Sequence, residues 1–271
     1  MSLTLTLREQ PAAAVRAEAI APDRLAGLSR AEVERLELFH GNRRSAVGEL
    51  FDVSVSDGAG DDLRVEGDLT RVGGLGACMG GGRLTIAGAA GPHVGAGMSD
   101  GEIVVEGDAG DWAGAAMRGG LLVVRGSAGR RVGGAYTGSR AGMRGGEILV
   151  HGDAGDEAGA GLRRGLIAVA GRIGDAAGLS ALAGTIVAFG ALGAHPGPGM
   201  RRASIVAMDA PALLPTYVRA CTYRPPYLRL CLRRLRDLGL PVSDAQIAGR
   251  YTRWSGDGLE LRRGEILILE A

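Results

Sequence analysis

Lysine is absent from this chain. All 31 basic residues among its 271 are arginine, so a phosphate-loop lysine, a Schiff-base lysine and a lysine general base are excluded outright. Aromatic residues are scarce, at 4%. Cysteine occurs three times, at Cys78, Cys221 and Cys231, with no Cys-x-x-Cys pair; the spacing fits reduced cytosolic thiols better than a disulfide framework. No apolar run approaches the ~20 residues of a membrane helix. The opening MSLTLTLREQ has no basic n-region or long apolar core, so neither export nor a membrane span is expected. A net charge of +1 argues against a nucleic-acid partner held by bulk charge.

Glycine is what the chain has in excess. It contributes 48 residues, more than twice the usual share. There is no three-residue collagen period, and the glycines alternate with Ile, Val and Leu at fixed offsets. Taking the glycine that closes each apolar run as an anchor gives Gly67, Gly88, Gly107, Gly126, Gly152, Gly171 and Gly190, in steps of 21, 19, 19, 26, 19 and 19. Seven residues past every anchor stands another glycine, from Gly74 to Gly197, and a third closes most copies. Periods near 20 residues are the signature of a solenoid. The glycines read as corners that need positive φ, or as places where stacked backbones approach closely.

Within each copy the residues four and two before the anchor are apolar, as in Ile103/Val105 and Ile148/Val150, and the residue just before it is Glu66, Ala87, Glu106, Arg125, His151, Ala170 or Phe189. That alternation predicts a strand with one buried and one mostly solvent-facing side. A second inward row comprises Met98, Met117, Met143, Leu162 and Met200, once a loop of about seven residues near Ala135–Ala141 is allowed for. The spacing of Gly41 and Gly48 matches the anchors, so the first coil is placed there. The division expected is an N-terminal strand and helix cap (1–40), a solenoid of 19-residue coils (41–208) and a C-terminal helix and tail (209–271). The tail helix should run from about Pro226 to Leu238, with Leu228, Cys231, Leu232 and Leu235 on one apolar stripe and arginines opposite. A closing strand is expected over Glu265–Leu269.

Several motifs reduce to geometry. GMSDG (Gly97 to Gly101) spells the hydrolase elbow, but it occupies the return segment that reads AAMRG elsewhere, and the elbow needs a strand-to-helix turn. The four histidines form no His-x-x-x-His or His/Cys cluster, so no metal site is expected. Asp68, Asp108 and Asp153 each follow an anchor and read as hydrogen-bonding turn residues. One row stands out. Eleven residues after the anchor come Ser99, Arg118, Arg144, Arg163, Leu182 and Arg201. Three consecutive stacked arginines need water, interleaved acids or an anionic partner, so Arg118, Arg144 and Arg163 are the candidate ligand-binding residues. They suit a polycarboxylate or an acidic protein surface.

Three stretches carry a resemblance: GNRRSAVGELF from Gly41, the 19-residue glycine repeats, and RWSGDGLELRRGEILIL from Arg253. Together they resemble the C subunit of formylmethanofuran dehydrogenase and of the related formyltransferase/hydrolase complex. The repeat region alone is similar to the C-terminal domain of glutamate synthase. The resemblance implies an all-β fold, a right-handed parallel β-helix, acting as a non-catalytic cytoplasmic subunit. Its implied partners are an amidohydrolase-like A subunit, a B subunit and a formyltransferase D subunit. The complex would move formyl from tetrahydromethanopterin to a methanofuran-type carrier and release formate. It implies no catalytic residue and no cofactor on this chain. The carrier's glutamates would be a ligand for the arginine row. The rivals are a glutamate-synthase-like subunit and a stand-alone β-helical acyltransferase or carbohydrate-active enzyme. The residues expected of such enzymes, hexapeptide repeats with a histidine or clustered acids on one strand row, are not evident.

Overall fold

The computed structural model describes residues 2–56 and 62–270. The N-terminal part holds strands β1 (Ser2–Leu7) and β2 (Val15–Arg16), helices α1 (Pro22–Leu25) and α2 (Arg30–Glu34), strands β3 (Glu37–His40) and β4 (Arg43–Ala46), helix α3 (Val47–Leu50) and strand β5 (Phe51–Ser56). The repeats supply β6 (Asp62–Glu66), the two-residue β7 (Val72–Gly73), β8 (Arg83–Ala87), β9 (Glu102–Val105), β10 (Leu121–Val124), β11 (Glu147–Val150), β12 (Leu166–Val169), β13 (Thr185–Ala188) and β14 (Ser204–Ala207). The tail adds β15 (Val218–Tyr223), α4 (Pro226–Asp237), α5 (Asp244–Ala248), β16 (Tyr251–Gly256), a 3-10 turn (Gly258–Glu260) and β17 (Gly264–Leu269).

One strand per repeat pairs in parallel with its successor, in the order β6-β8-β9-β10-β11-β12-β13-β14. Identical repeat positions therefore sit beside each other: Ile103 beside Leu122, Leu122 beside Ile148, Ile148 beside Ile167, Ile167 beside Ile186. A second parallel ladder joins Leu69, Ala90, Ala109, Ala128, Ala154, Ile173 and Leu192. A third runs from the glycine seven past each anchor, where Gly114 N donates to Val94 O and Gly133 N to Ala113 O, both at 2.8 Å. Three lines of interlayer bonding satisfy the backbone that a coil turns inward. The apolar rows fill the interior, and Met98, Met117, Met143 and Met200 are fully buried as the second row. The register holds across the long step, because Arg144 N bonds Met117 O as Arg118 N bonds Met98 O.

The glycines divide by cause. Gly114 lies at φ +63, a corner that an L side chain adopts only with strain. The anchor Gly126 is not in that region; a Cβ there would run into the Asp108 carboxylate and the backbone of the preceding coil. Asp108 accepts from Ser127 N at 2.7 Å, and Asp153 from Arg172 N at 2.7 Å. These aspartates thus stitch one coil to the next instead of closing their own turn. Asp68 alone of the three serves its own turn, through Thr70 N.

Three further expectations are corrected. Gly41 follows β3 at the β3–β4 hairpin of a small sheet ordered β4-β3-β2-β7, so its seven-residue spacing to Gly48 marks no coil. The rung before β6 is instead β1, parallel to it with Leu3 opposite Leu63 and Leu5 opposite Val65; β5 closes that end antiparallel. At the other end the stacking does not stop at Ala207, since β17 adds a parallel rung to β14 before β16 and β15 turn back antiparallel. Finally, over β10 to β14 the outer strand face is not mostly solvent. Val123, Leu149, Ala168, Val187 and Val206 form a second core with Leu228, Leu232 and Leu235 of α4. That helix has the anticipated stripe and stops at Gly239, φ +91.

Candidate functional site

The arginine row is real in space. Arg118, Arg144 and Arg163 occupy successive coils, each amide bonded to the methionine carbonyl of the coil before, at 2.7, 2.6 and 2.8 Å. All three side chains are exposed, and none has an ion pair among the described residues. The row continues through Leu182 to Arg201, whose Nε lies 2.9 Å from Glu260.

The structure does not gather the three candidates into one pocket. A cleft of about 630 Å³ opens beside the row where residues 135–141 leave the coil. Arg163 lines it; Arg118 and Arg144 lie outside on the open column. The other cationic walls are Arg131, Arg140 and Arg201, with Tyr136 and Glu260 beside them. Both ends of the loop are pinned to the next coil, Ala135 N to Ala160 O at 2.8 Å and Gly142 N to Gly161 O at 2.9 Å. The loop therefore reads as a wall on a rigid base. Arg131 is held by Glu157 at 2.6 Å, whereas Arg140 and Arg163 have no carboxylate within ion-pair distance among the described residues. Guanidinium groups left unpaired around a concave surface suit a multiply charged carboxylate or phosphate.

Reading along the sequence misses Arg131, Arg140 and Tyr136. The one signal is the extra length at residues 135–141, which interrupts the repeat directly before the arginine row. Tyr136 also completes a ring cluster that props the loop. His93 and Trp112 occupy the same corner of adjacent coils at φ 65 and φ 58, and their rings stack with centroids 5.3 Å apart. Tyr136 packs on both, with its hydroxyl 3.2 Å from His93 Nδ1. Burial holds the His93 imidazole below its ordinary pKa, against the pull of Glu18 and Asp111.

Ser99 of the elbow-like motif sits on the arginine column and donates to Met79 O at 3.3 Å. It is part of a coil return, with no helix following, so the hydrolase reading fails on geometry. Among the described residues, no three His, Cys, Asp or Glu side chains converge as a metal site would require. No helix there is long and apolar enough to cross a membrane.

No family model matches the chain. Curated relatives match over part of it. The C subunit of the molybdenum-containing formylmethanofuran dehydrogenase 1 of Methanothermobacter thermautotrophicus is 33% identical over 81 residues, which is 30% of this chain and 20% of that protein. The Methanosarcina barkeri counterpart is 38% identical over 83 residues, 30% of this chain and 28% of that one. The C subunit of the tungsten-containing enzyme 2 of M. thermautotrophicus is 38% identical over 96 residues, 34% and 36% of the two chains. Among solved structures, a chain of the formyltransferase/hydrolase complex (FhcABCD) from Methylorubrum extorquens, crystallised with methylofuran, superposes with a TM-score of 0.92 at 36% identity. The match covers 99% of this chain and 100% of that one. The chain belongs to the family of formylmethanofuran dehydrogenase C subunits. As a member of that family it carries its repeats, arginine row and closing RWSGDG segment in a fold shared along its full length.

Proposed function

We propose that this chain is a non-catalytic structural subunit of a cytoplasmic formyltransferase/hydrolase complex. In that reading the complex passes formyl from formyl-tetrahydromethanopterin to a methanofuran-type carrier and releases formate. The chemistry lies on an amidohydrolase-like A subunit, a B subunit and a formyltransferase D subunit, and this chain holds no cofactor of its own. The observation that carries the reading is the full-length superposition at 36% identity on a chain of such a complex. The coils wind as a right-handed parallel β-helix, which the handedness of parallel crossovers favours. On this reading the N-terminal segment closes one end, with β1 as a rung and β5 antiparallel to it, while the C-terminal segment adds the rung β17 at the other end and lays α4 over the outer strand face.

Arg118, Arg144 and Arg163 form the track of an acidic ligand, either the glutamates of the carrier or an acidic face of a partner subunit. Support comes from their in-register stacking without ion pairs, and from the cleft at Arg163. Replacing all three with Gln should weaken calorimetric binding of oligoglutamate by at least about tenfold and flatten its salt dependence. Unchanged binding would remove the row from the site. For the complex itself, native purification of the tagged chain should bring stoichiometric partner chains with formyl-transfer activity. An isolated monomer with an activity of its own would overturn the scaffold reading.

A further inference from the structure

Among the described residues, the most exposed of the large apolar side chains lie in the tail, just past the 3-10 turn and within it. Leu259 is 83% and Leu261 76% exposed. They are not loose. The buried carboxylate of Asp257 accepts from Leu259 N and from Gly199 N of a coil, each at 3.0 Å. Asp257 O accepts from Glu260 N and Arg262 N, and Gly258 N donates to Thr216 O at 3.1 Å. Leu261 and Arg262 both occupy the left-handed region, at φ 67 and 56, which a non-glycine residue adopts only with strain. A strained, well-bonded turn whose leucines touch solvent spends stability on presentation, and such preorganisation lowers the entropy cost of docking.

The surroundings specify the partner's chemistry. Leu261 and Leu182 share the wall of a recess of about 350 Å³ with Arg201, Arg202 and Arg263. Glu260 is engaged by Arg201. Arg202, Arg262 and Arg263 are exposed and have no carboxylate within ion-pair distance among the described residues. We infer that the Leu259–Leu261 turn is a docking knob for a different protein chain, one presenting an apolar socket rimmed by carboxylates. A self-partner fits poorly, because the rim would meet its own positive charge. Two leucines on a fixed turn match a shaped socket better than a bilayer, where binding scales with inserted apolar area. The inference rests on the proposed role in a complex.

The test uses the full chain, tagged and expressed in its own cells. Wild type should co-purify with stoichiometric subunits identified by mass. The double variant L259D/L261D should lose at least one of them by about thirtyfold or more, with an unchanged thermal midpoint. L230D, which places the same charge on the exposed face of α4, should retain all of them. Raising salt should weaken that contact in wild type, and less so in R202Q/R262Q/R263Q. Retention of every subunit by L259D/L261D overturns the knob while leaving the scaffold role standing. Wild type purifying alone overturns both. So would knob-dependent dimerisation of the isolated chain in the ultracentrifuge, or knob-dependent flotation with phosphatidylglycerol vesicles, in place of subunit binding.

Discussion

The strands β6, β8 and β9 and the strands β10 to β14 are built from one repeat, yet they are buried differently. On the inner face the two groups are indistinguishable: Leu84, Ile103, Ile148 and Ile186 are all inaccessible. On the outer face Arg64, Thr85 and Val104 stay at least partly open, while Leu149, Ala168, Val187 and Val206 are sealed. The second group lies under α4, whose Leu228, Leu232 and Leu235 complete that core, and Val104 of β9 packs at its margin. The inner face is a property of the repeat, since stacking neighbours dictate it wherever a coil stands. The outer face is a property of position, set by whether a distant segment packs over it.

The sharpest way to break this contrast is to put one charge at the same strand position in both groups. Val187→Asp places an unpaired carboxylate between β13 and α4 and should cost about 3 kcal/mol or more. Thr85→Asp, on the uncovered face and paired across the sheet with Arg64, should stay within about 1 kcal/mol of wild type. Chemical denaturation followed by circular dichroism measures both. Equal losses would mean that the outer face is governed by the repeat after all. Hydrogen exchange adds a local readout, since Val187→Asp should release amides of α4 before those of the inner strands.

How much of this was readable follows the same line. The inner rows, the methionine row and the register across the 26-residue step were legible because each repeats at fixed spacing, and stacking turns such spacing into contact. The covered outer face left a weaker mark. The residues just before the anchors run Glu66, Ala87, Glu106, Arg125 and His151 before Ala170 and Phe189, and Met208 holds the matching position after β14, so apolar character is continuous only in the last coils and one-face alternation does not register it. The Gly41–Gly48 spacing misled because a hairpin turn also places glycine at positive φ. The cleft was legible only in Arg163 and Arg201, since Arg131, Arg140 and Tyr136 meet there through the insertion's path. A loop of changed length has no period to align it.

A smaller effect tests whether the interlayer bonds belong to the repeat. Asp108 bonds Ser127 N at the uncovered β9 coil, and Asp153 bonds Arg172 N at the covered β11 coil, both at 2.7 Å. Replacing either with Ala should therefore cost the same, about 1 kcal/mol. A clear inequality in denaturation midpoint, beyond about 0.5 kcal/mol, would show that α4 reaches into the coil corners as well as onto the strand faces.

The smallest effect reports on the covering helix through a proton. His151 points outward from the end of β11, 3.4 Å from Arg125 Nη1, and lies beneath the C-terminal end of α4 near Gly239. Burial, with help from the Arg125 charge, lowers its pKa below the ordinary 6.5. The unfolded chain then binds the proton more readily than the folded one. This contribution to stability is fully present above about pH 6.5 and declines as pH falls through the folded value. The imidazole is only partly buried, so solvent screening holds the effect to a few tenths of a kcal/mol. His151→Gln should flatten the pH dependence of unfolding between about pH 5 and 7 by that amount. In a Val187→Asp background, where α4 no longer seals the face, the same substitution should change nothing. If the flattening survives there, the Arg125 charge rather than the helix sets the shift, and His151 belongs with the repeat and not with its cover.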